Sequence, residues 1–208
     1  MKITKIEQQK KNKSRFSVFL DGEFSFGADN FTVVLHNLTE GAEITEEKLA
    51  EIKAGALTED AKNYAARLIS SRSYTEKAIR EKLTAHTGDE ETVQKTINFL
   101  KEYKLIDDLD YATRYAHDLV HLKKFGLKQV VWKLQEKGIP KEIAQKVASE
   151  FNFDDTISEN LKTLAQKKLS GNFDIKNIMK VKRYLASRGY DFDDINQAFY
   201  EIQKETEE

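Results

Sequence analysis

Hydrophobic and polar residues follow two periods along this chain, first a period of two and then a helical one. In RFSVFLDGEFSF, residues 15–26, apolar positions largely alternate on both sides of Asp21-Gly22, a dipeptide that favours a two-residue hairpin turn. A further strand over residues 2–8 can pair alongside. Because an isolated hairpin is marginally stable in water, we expect this small antiparallel sheet to pack against a helix.

The next segment has a mixed pattern. The stretch NFTVVLHNL, residues 30–38, is compatible with a strand or a helix, because its centre is β-branched. The stretch ITEEKLAEIKAG, residues 44–55, predicts a short helix that Thr45 caps and Gly55 ends.

From about residue 58 onward, an apolar pattern with helical spacing recurs every 51 residues. The central helix of each repeat carries one apolar pair, Ile79/Leu83, Val130/Leu134 or Val181/Leu185. The helix after it carries an i, i+4, i+7 stripe that begins at Val93, Ala144 or Ile195. The first helix of the third repeat slips register and uses Leu161, Leu164 and Leu169.

One such repeat cannot bury its apolar face alone, so neighbouring repeats must stack. We therefore expect a mainly α-helical protein in which tandem three-helix repeats form an elongated, curved body behind an N-terminal hairpin or sheet. The expected segments are 1–57 for the β-rich region with its short helix, 58–106, 107–153 and 154–208 for the three repeats.

Local signals define the ends of these helices. Ser73 with Glu76 and Thr87 with Glu90 fit capping boxes, although Thr75 can replace Ser73 as the cap. Gly138 and Gly189 are placed where a helix ends through a left-handed residue, and Gly88 lies one position out of phase.

Composition excludes several classes of protein. The 208 residues include no cysteine, which rules out disulfides, thiol catalysis and cysteine-ligated zinc. No apolar run is long enough for a membrane span, and the basic N-terminus lacks the apolar core of a signal peptide. We expect a cytoplasmic monomer that does not contact a membrane.

The formal net charge of -1 hides strong segregation of charge. Residues 2–15 carry +5, residues 160–190 carry +7 and residues 191–208 carry -6. Such blocks favour a patterned surface that meets a charged partner, with solvated helix faces as the alternative.

Three stretches together resemble the RecX family, bacterial regulators of the RecA recombinase. They are SRSYTEKAIREKL, FLKEYKLIDDLDYATRYAHDLV and KKFGLKQVVWKLQEKGIPKEIAQKV, which follow the β-rich N-terminus. The family pattern appears as Leu-Ile-Asp-Asp-x-x-Tyr-Ala at 105–112 and as Phe-Gly-x-x-x-Val-x-x-x-Leu-x-x-Lys-Gly-Ile at 125–139. The match covers residues 60–150 well and the third repeat more loosely. The N-terminal sheet and the third repeat are similar to the long form found in Gram-positive bacteria.

The resemblance implies a regulator without a cofactor that binds the RecA–DNA filament. Such a protein lies in the filament groove, blocks extension or promotes disassembly, and lowers the ATPase, strand-exchange and SOS co-protease activities. Two other hypotheses remain open. One is a helical-repeat protein that binds single- or double-stranded DNA without a recombinase, and the other is a scaffold unrelated to DNA.

The candidate contact residues for the filament or DNA are basic residues that cluster around the three central helices. They are Arg72, Lys77, Arg80, Lys82, Lys123, Lys124, Lys128, Lys133, Lys180, Lys182, Arg183 and Arg188. A stripe of this kind is typical of a phosphate-tracking surface, and soluble helix flanks are the alternative. Trp132 and Tyr184 can stack on bases or be buried between adjacent repeats, and burial is our expectation.

Nothing in the sequence assembles an enzyme site. HDLVH places His117 and His121 one helical turn apart, as in zinc peptidases, but Asp118 replaces the usual glutamate and no third ligand is indicated. The acidic residues within 107–110 are explained more simply by a helix start. There is also no glycine-rich phosphate loop. From these observations together we expect no metal, no cofactor and no catalysis.

Overall fold

The computed structural model of this protein describes residues 1–10, 12–153 and 155–207. Lys11 of the N-terminal basic block, Asp154 at the expected start of the third repeat and the acidic Glu208 lie outside the described residues. The mainly helical fold class with a small N-terminal antiparallel sheet is confirmed.

The strands are β1 (Ile3–Gln8), β2 (Arg15–Leu20) and β3 (Glu23–Asp29). The α-helices are α1 (Asn30–Leu35), α2 (Glu46–Ile69), α3 (Glu76–Thr87), α4 (Glu90–Glu102), α5 (Asp108–His117), α6 (Leu127–Glu136), α7 (Lys141–Ser149), α8 (Asp155–Leu169), α9 (Ile175–Ser187) and α10 (Phe192–Glu207). A π turn, Asp118–Leu122, extends α5, and a 3-10 turn, Glu150–Phe153, follows α7.

The N-terminal sheet has the strand order β1-β2-β3, and both pairs are antiparallel. Asp21 (φ 48°) and Gly22 (φ 92°) make the predicted tight turn, in which both residues are left-handed. Val18 and Ala28 are fully buried in a cluster that includes Ile52 of α2. The sheet is therefore stabilised by packing against a helix, as the sequence predicts.

Helix α2 continues where the sequence predicts an end. The helix runs through Gly55 to Ile69, so the end predicted at Gly55 is wrong, and the expected boundary at 57/58 falls inside a helix. A glycine within a helix costs only about 1 kcal/mol relative to alanine. Burial of Ile52 and Ala56 on either side of Gly55 explains why the helix persists. The ambiguous stretch 30–38 begins as α1, because Oδ1 of Asp29 accepts a hydrogen bond from the Thr32 amide at 2.7 Å.

By their contacts the residues divide into two compact units. The first unit comprises 1–72 and 79–105, within the described residues, and the second comprises 73–78 and 106–208. In the first unit, the second half of α2, with α3 and α4, forms the first repeat and buries Ile79, Leu83 and Val93 completely.

The second unit contains the second repeat (α5–α7), the third repeat (α8–α10) and the residues that start α3. Each of the two repeats has its own apolar cluster, one around Val130 and Leu134 and one around Val181 and Leu185. The predicted apolar pairs are thus confirmed as core positions, and tandem three-helix domains are confirmed as the architecture.

A polar network within the first unit connects the sheet to the first repeat. Arg15 of β2 forms an ion pair with Asp60 of α2, and the other carboxylate oxygen of Asp60 lies 2.8 Å from Nε2 of His86. The Tyr64 ring stacks on His86 at 4.1 Å between centroids. Burial, followed by the charges of Arg67 and Arg15, lowers the pKa of His86.

The caps of α3 and α4 are visible in the structure, and only that of α4 contradicts the prediction. Thr75 caps α3, since its Oγ accepts a hydrogen bond from the Ala78 amide at 3.2 Å, which decides between Ser73 and Thr75. Asp89 caps α4 by accepting from the Thr92 amide at 2.8 Å. The prediction that Thr87 caps α4 is wrong, because Thr87 is the last residue of α3.

Candidate nucleic-acid interface

Within the second unit, the central helices meet at a joint that recurs with the 51-residue period. The Thr75 hydroxyl, at the start of α3, donates a hydrogen bond to the carbonyl of Lys137 at 2.8 Å. The equivalent amide of Gly126, at the start of α6, donates to the carbonyl of Arg188 at 2.9 Å. In both cases the start of one central helix contacts the end of the next central helix. The repeat in the sequence is therefore also a repeat in how neighbouring elements join.

Close packing explains the glycines at these joints, against the side chain of Lys77 at Gly138 and against the backbone and Cβ of Gln129 at Gly189. Gly138 and Gly189 both have φ +87°, the left-handed conformation that ends a helix. A Cβ added at Gly138 would lie 2.4 Å from Lys77 Cδ, and one added at Gly189 would lie 2.3 Å from the backbone nitrogen of Gln129. Glycine is needed at both positions, for conformation and for space.

Arg188 strengthens the joint between the second and third repeats. Its guanidinium donates hydrogen bonds to the carbonyls of Lys123 and Lys124, and its Nε lies 3.3 Å from the Lys124 oxygen. The same guanidinium lies 4.4 Å above the Phe125 ring. The Tyr190 hydroxyl donates to the Lys124 carbonyl at 3.1 Å, and burial raises the pKa of Tyr190 to about 12, which keeps it a donor. The side chain of Arg188 is thus held within the protein.

Three further candidate lysines of the second unit have partners inside the protein. Lys128 forms an ion pair with Asp191 at 2.5 Å. Lys133 forms one with Glu136 at 2.7 Å, and Lys182 donates to Asn196 Oδ1 at 2.7 Å. The charges of these residues are partly balanced or oriented before any partner binds.

The exposed side of α9 offers a cationic surface. Lys176, Lys180 and Arg183 recur at i, i+4 and i+7, all three are exposed, and α9 contains no acidic residue. Val181 and Leu185, which are buried, face the core. Lys176 is an addition to the predicted contact residues, and its helical spacing from Lys180 and Arg183 is the sequence signal that identifies it. We call these three residues the α9 basic face.

The twelve candidate residues are divided between the two units. Lys77, Lys123, Lys124, Lys128, Lys133, Lys180, Lys182, Arg183 and Arg188 belong to the second unit, and Arg72, Arg80 and Lys82 belong to the first. Within the first unit, Arg80 donates to Glu90 at 3.1 Å and to Gln94 at 3.0 Å. In the second unit, the exposed candidates are Lys77, Lys123, Lys128, Lys180 and Arg183.

The two aromatic residues of the basic helices have different environments. The expectation that Trp132 is buried between repeats is wrong, because 49% of it is exposed. Helix α6 buries Val130 and Leu134, and position 132 lies on another side of that helix. The ammonium of Lys133 lies 4.4 Å from the Trp132 ring centroid. Tyr184 is partly buried against the core of its own third repeat.

The HDLVH segment runs from His117, the last residue of α5, into the π turn that extends this helix. The rings of His117 and His121 lie 4.0 Å apart. The carbonyl of Val120 within this turn accepts a hydrogen bond at 3.0 Å from the side-chain amide of Asn160, which is buried in the third repeat. Among the described residues, no three potential ligands are close enough to hold a metal ion.

In the described part of the chain, no helix combines the length and the apolar character that crossing a bilayer requires.

Comparison with known families gives four consecutive matches. Residues 1–45 match the Regulatory protein RecX N-terminal domain. Residues 61–100, 107–147 and 155–199 match the first, second and third three-helix domains of RecX, respectively. Together these matches cover most of the chain and follow its architecture.

Individual proteins give the same result. The chain is 33% identical over 207 residues to Regulatory protein RecX from Clostridium botulinum (strain Alaska E43 / Type E3), covering 96% of this chain and 95% of the relative. It is 34% identical over 203 residues to Regulatory protein RecX from Clostridioides difficile (strain 630), with the same coverage of 96% and 95%.

Two solved structures share the fold. A crystal structure of regulatory protein RecX is 26% identical, has a TM-score of 0.76, and matches over 95% of this chain and 98% of its own. A crystal structure of RecX from Lactobacillus salivarius is 26% identical, has a TM-score of 0.67, and matches over 71% of this chain and 97% of its own.

Proposed function

Because this chain belongs to the RecX family of regulatory proteins, we propose that it binds the RecA–DNA filament and lowers its ATPase, strand-exchange and SOS co-protease activities. The observation that carries this proposal is the match of four RecX domains in order along one chain. We propose further that the protein acts by binding rather than by catalysis, as a cytoplasmic monomer.

The proposed mechanism uses several modest contacts on one chain. Once one repeat binds the filament, the others are held close to it, which raises their effective concentration. A protein bound in this way along the filament groove would block the addition of recombinase subunits or favour their release. The joint between the second and third repeats supports this mechanism, because its hydrogen bonds hold the outer faces of these two repeats in a fixed arrangement.

We propose that phosphates of the filament DNA contact the α9 basic face, with Lys123 as an additional contact. The side chains of Lys180 and Arg183 are exposed on a helix without carboxylates, so they retain most of their positive potential. Binding of phosphate by such side chains releases counterions and weakens as salt rises. Arg188 is assigned to the joint instead, because carbonyls and an aromatic ring already surround its guanidinium.

A charge-reversal experiment tests this assignment. The variant Lys180→Glu/Arg183→Glu is expected to need about tenfold more protein for half-maximal inhibition of the recombinase ATPase, since two phosphate contacts become repulsive. The matched control is Lys141→Glu/Lys146→Glu, which makes the same change of charge at exposed positions of α7 in the same unit. Equal loss in both variants, or no loss in either, would exclude the α9 basic face as a specific contact.

A second function, direct DNA binding without a recombinase, is favoured by one observation. Trp132 is exposed beside Lys133, an arrangement that suits stacking on an unpaired base. Binding to single-stranded DNA, with and without recombinase and at several salt concentrations, separates the two functions. The direct-binding function is supported if bare DNA binds tightly and the recombinase adds nothing.

A further inference from the structure

An open groove of about 690 Å³ lies within the second unit, and its lining includes none of the residues assigned to phosphate contact. Its lining residues on α8 extend from Asp155 to Lys162, and those on α10 extend from Asp194 to Glu201. Along each helix they recur every three or four positions. The groove therefore follows two helices over about two turns, a length of about 10 Å.

The floor of the groove is apolar. Leu161 and Ala198 are buried beneath it, and the partly buried side chains of Ile157 on α8 and of Leu127 and Phe151 on neighbouring elements also line it. Partly buried apolar side chains of this kind gain further burial when a partner covers them.

The rim of the groove is acidic. Asp155 begins α8, Asp194 lies in the first turn of α10, and both are exposed. Glu201 pairs with Lys162, the only basic side chain among the described lining residues. Because the charge of Lys162 is neutralised by Glu201, the two aspartates leave the rim with a net negative charge.

We propose that this groove binds a basic, amphipathic segment of the protein partner. Apolar side chains of that segment enter between α8 and α10, and its lysines or arginines face Asp155 and Asp194. This proposal rests on the proposed function, which supplies the recombinase filament as the partner. It assigns protein recognition to the groove and phosphate contact to the α9 basic face.

Charge decides which kind of macromolecule occupies the groove. Carboxylates repel phosphate, so DNA is disfavoured at Asp155 and Asp194, and an acidic peptide is disfavoured for the same reason. The apolar floor also requires a partner with apolar side chains, because these would cover Phe151 and Ile157 and remove them from water. Free cations have no such side chains. A basic segment with apolar anchors satisfies both conditions, and its two-turn contact length suits a helix.

The test compares two variants with the same change of charge on the same helices. Asp155→Lys/Asp194→Lys reverses the rim, whereas the control Glu159→Lys/Asp193→Lys changes exposed residues of α8 and α10 that do not line the groove. Binding is measured to recombinase filaments assembled on single-stranded DNA with a non-hydrolysable ATP analogue, and separately to bare single-stranded DNA. Thermal unfolding establishes that each variant is folded.

The rim variant is expected to bind filaments about tenfold more weakly than wild type, with the control close to wild type. Both variants should bind bare DNA at least as tightly as wild type, because both gain positive charge. If the rim variant does not fold, Gln197→Trp replaces it, since this change fills the groove without altering charge and is expected to weaken filament binding similarly.

The possible failures are distinguishable. If wild type binds filaments and the rim variant or Gln197→Trp binds as wild type does, the groove proposal is wrong while the proposed function stands. Equal weakening in the rim variant and its control also overturns the groove proposal. If wild type does not bind filaments at all, the proposed function is wrong, and so is the partner assigned to the groove.

Discussion

The substitution Gly126→Ala tests the joint between the second and third repeats. Gly126 has φ -75° and ψ 163°, a conformation that alanine adopts without strain. The added methyl carbon, however, would lie 2.4 Å from the carbonyl carbon and oxygen of Gly189 and 2.5 Å from the Tyr190 amide nitrogen. These are backbone atoms, so the start of α6 must move away from the end of α9.

That movement strains two hydrogen bonds, from the Gly126 amide to the Arg188 carbonyl at 2.9 Å and from the Lys128 amide to the Gly189 carbonyl at 3.2 Å. Each bond contributes about 0.5–1.5 kcal/mol, and overpacking adds a cost of about 1–3 kcal/mol. The lower entropy of the unfolded variant offsets about 0.4–1 kcal/mol. We therefore expect the second unit to lose about 2–4 kcal/mol of unfolding free energy.

Urea unfolding measures this loss of stability. Hydrogen exchange at the Lys128 amide shows whether the loss arises at the joint, because this amide donates one of the two hydrogen bonds there. The control is Gly55→Ala, in the interior of α2, where an added Cβ meets nothing within 4 Å. Alanine there should stabilise the first unit by about 0.5–1 kcal/mol. A Gly126→Ala protein as stable as wild type, with unchanged protection at Lys128, would refute the close joint.

Three other predictions concern the repeats and the first unit. Leu134→Ala should cost about 2–5 kcal/mol in urea unfolding, because the fully buried leucine leaves a cavity, and a loss below about 0.5 kcal/mol would mean that the core face of α6 is misassigned. Thr75→Ala should cost about 1–3 kcal/mol through loss of the helix cap and the joint hydrogen bond, whereas Thr75→Ser should restore most of it; equal stability of the two variants would count against these bonds. In an NMR titration, His86 should titrate below the ordinary histidine value of 6.5, because burial, Arg67 and Arg15 lower its pKa. The unfolded chain then binds the proton more readily, so the contribution of this group to stability falls as the pH drops through 6.5, and a pKa above that value would contradict the described environment.

The repeated core could be predicted because burial imposes a regular pattern on the sequence. Val130, Leu134 and their equivalents 51 residues away are apolar since each faces the interior of its own repeat. The hairpin turn at Asp21-Gly22 could be predicted for a local reason, as few residues adopt a left-handed conformation. The end of α2 could not be predicted, because the packing of its buried residues against distant parts of the chain outweighs the weak helix-breaking tendency of Gly55.

The candidate interface could be predicted only in part, because sequence shows the sign of a charge but not its neighbours. The partner of Lys128 is 63 positions away, and the carbonyl that Arg188 binds is 64 positions away. Neither contact is visible in a local pattern. The prediction for Trp132 fails for a related reason, because aromatic residues are usually buried but the face of α6 that carries this one is exposed.

The most direct test of the central claim is a titration of this protein into the single-stranded-DNA-dependent ATPase reaction of the RecA recombinase. Regulation by filament binding predicts that ATP hydrolysis falls in proportion to bound protein and reaches a plateau. The variant Lys180→Glu/Arg183→Glu should reach half-maximal inhibition only at a higher protein concentration. An ATPase rate that stays constant when the folded protein is present in excess over recombinase would contradict that claim.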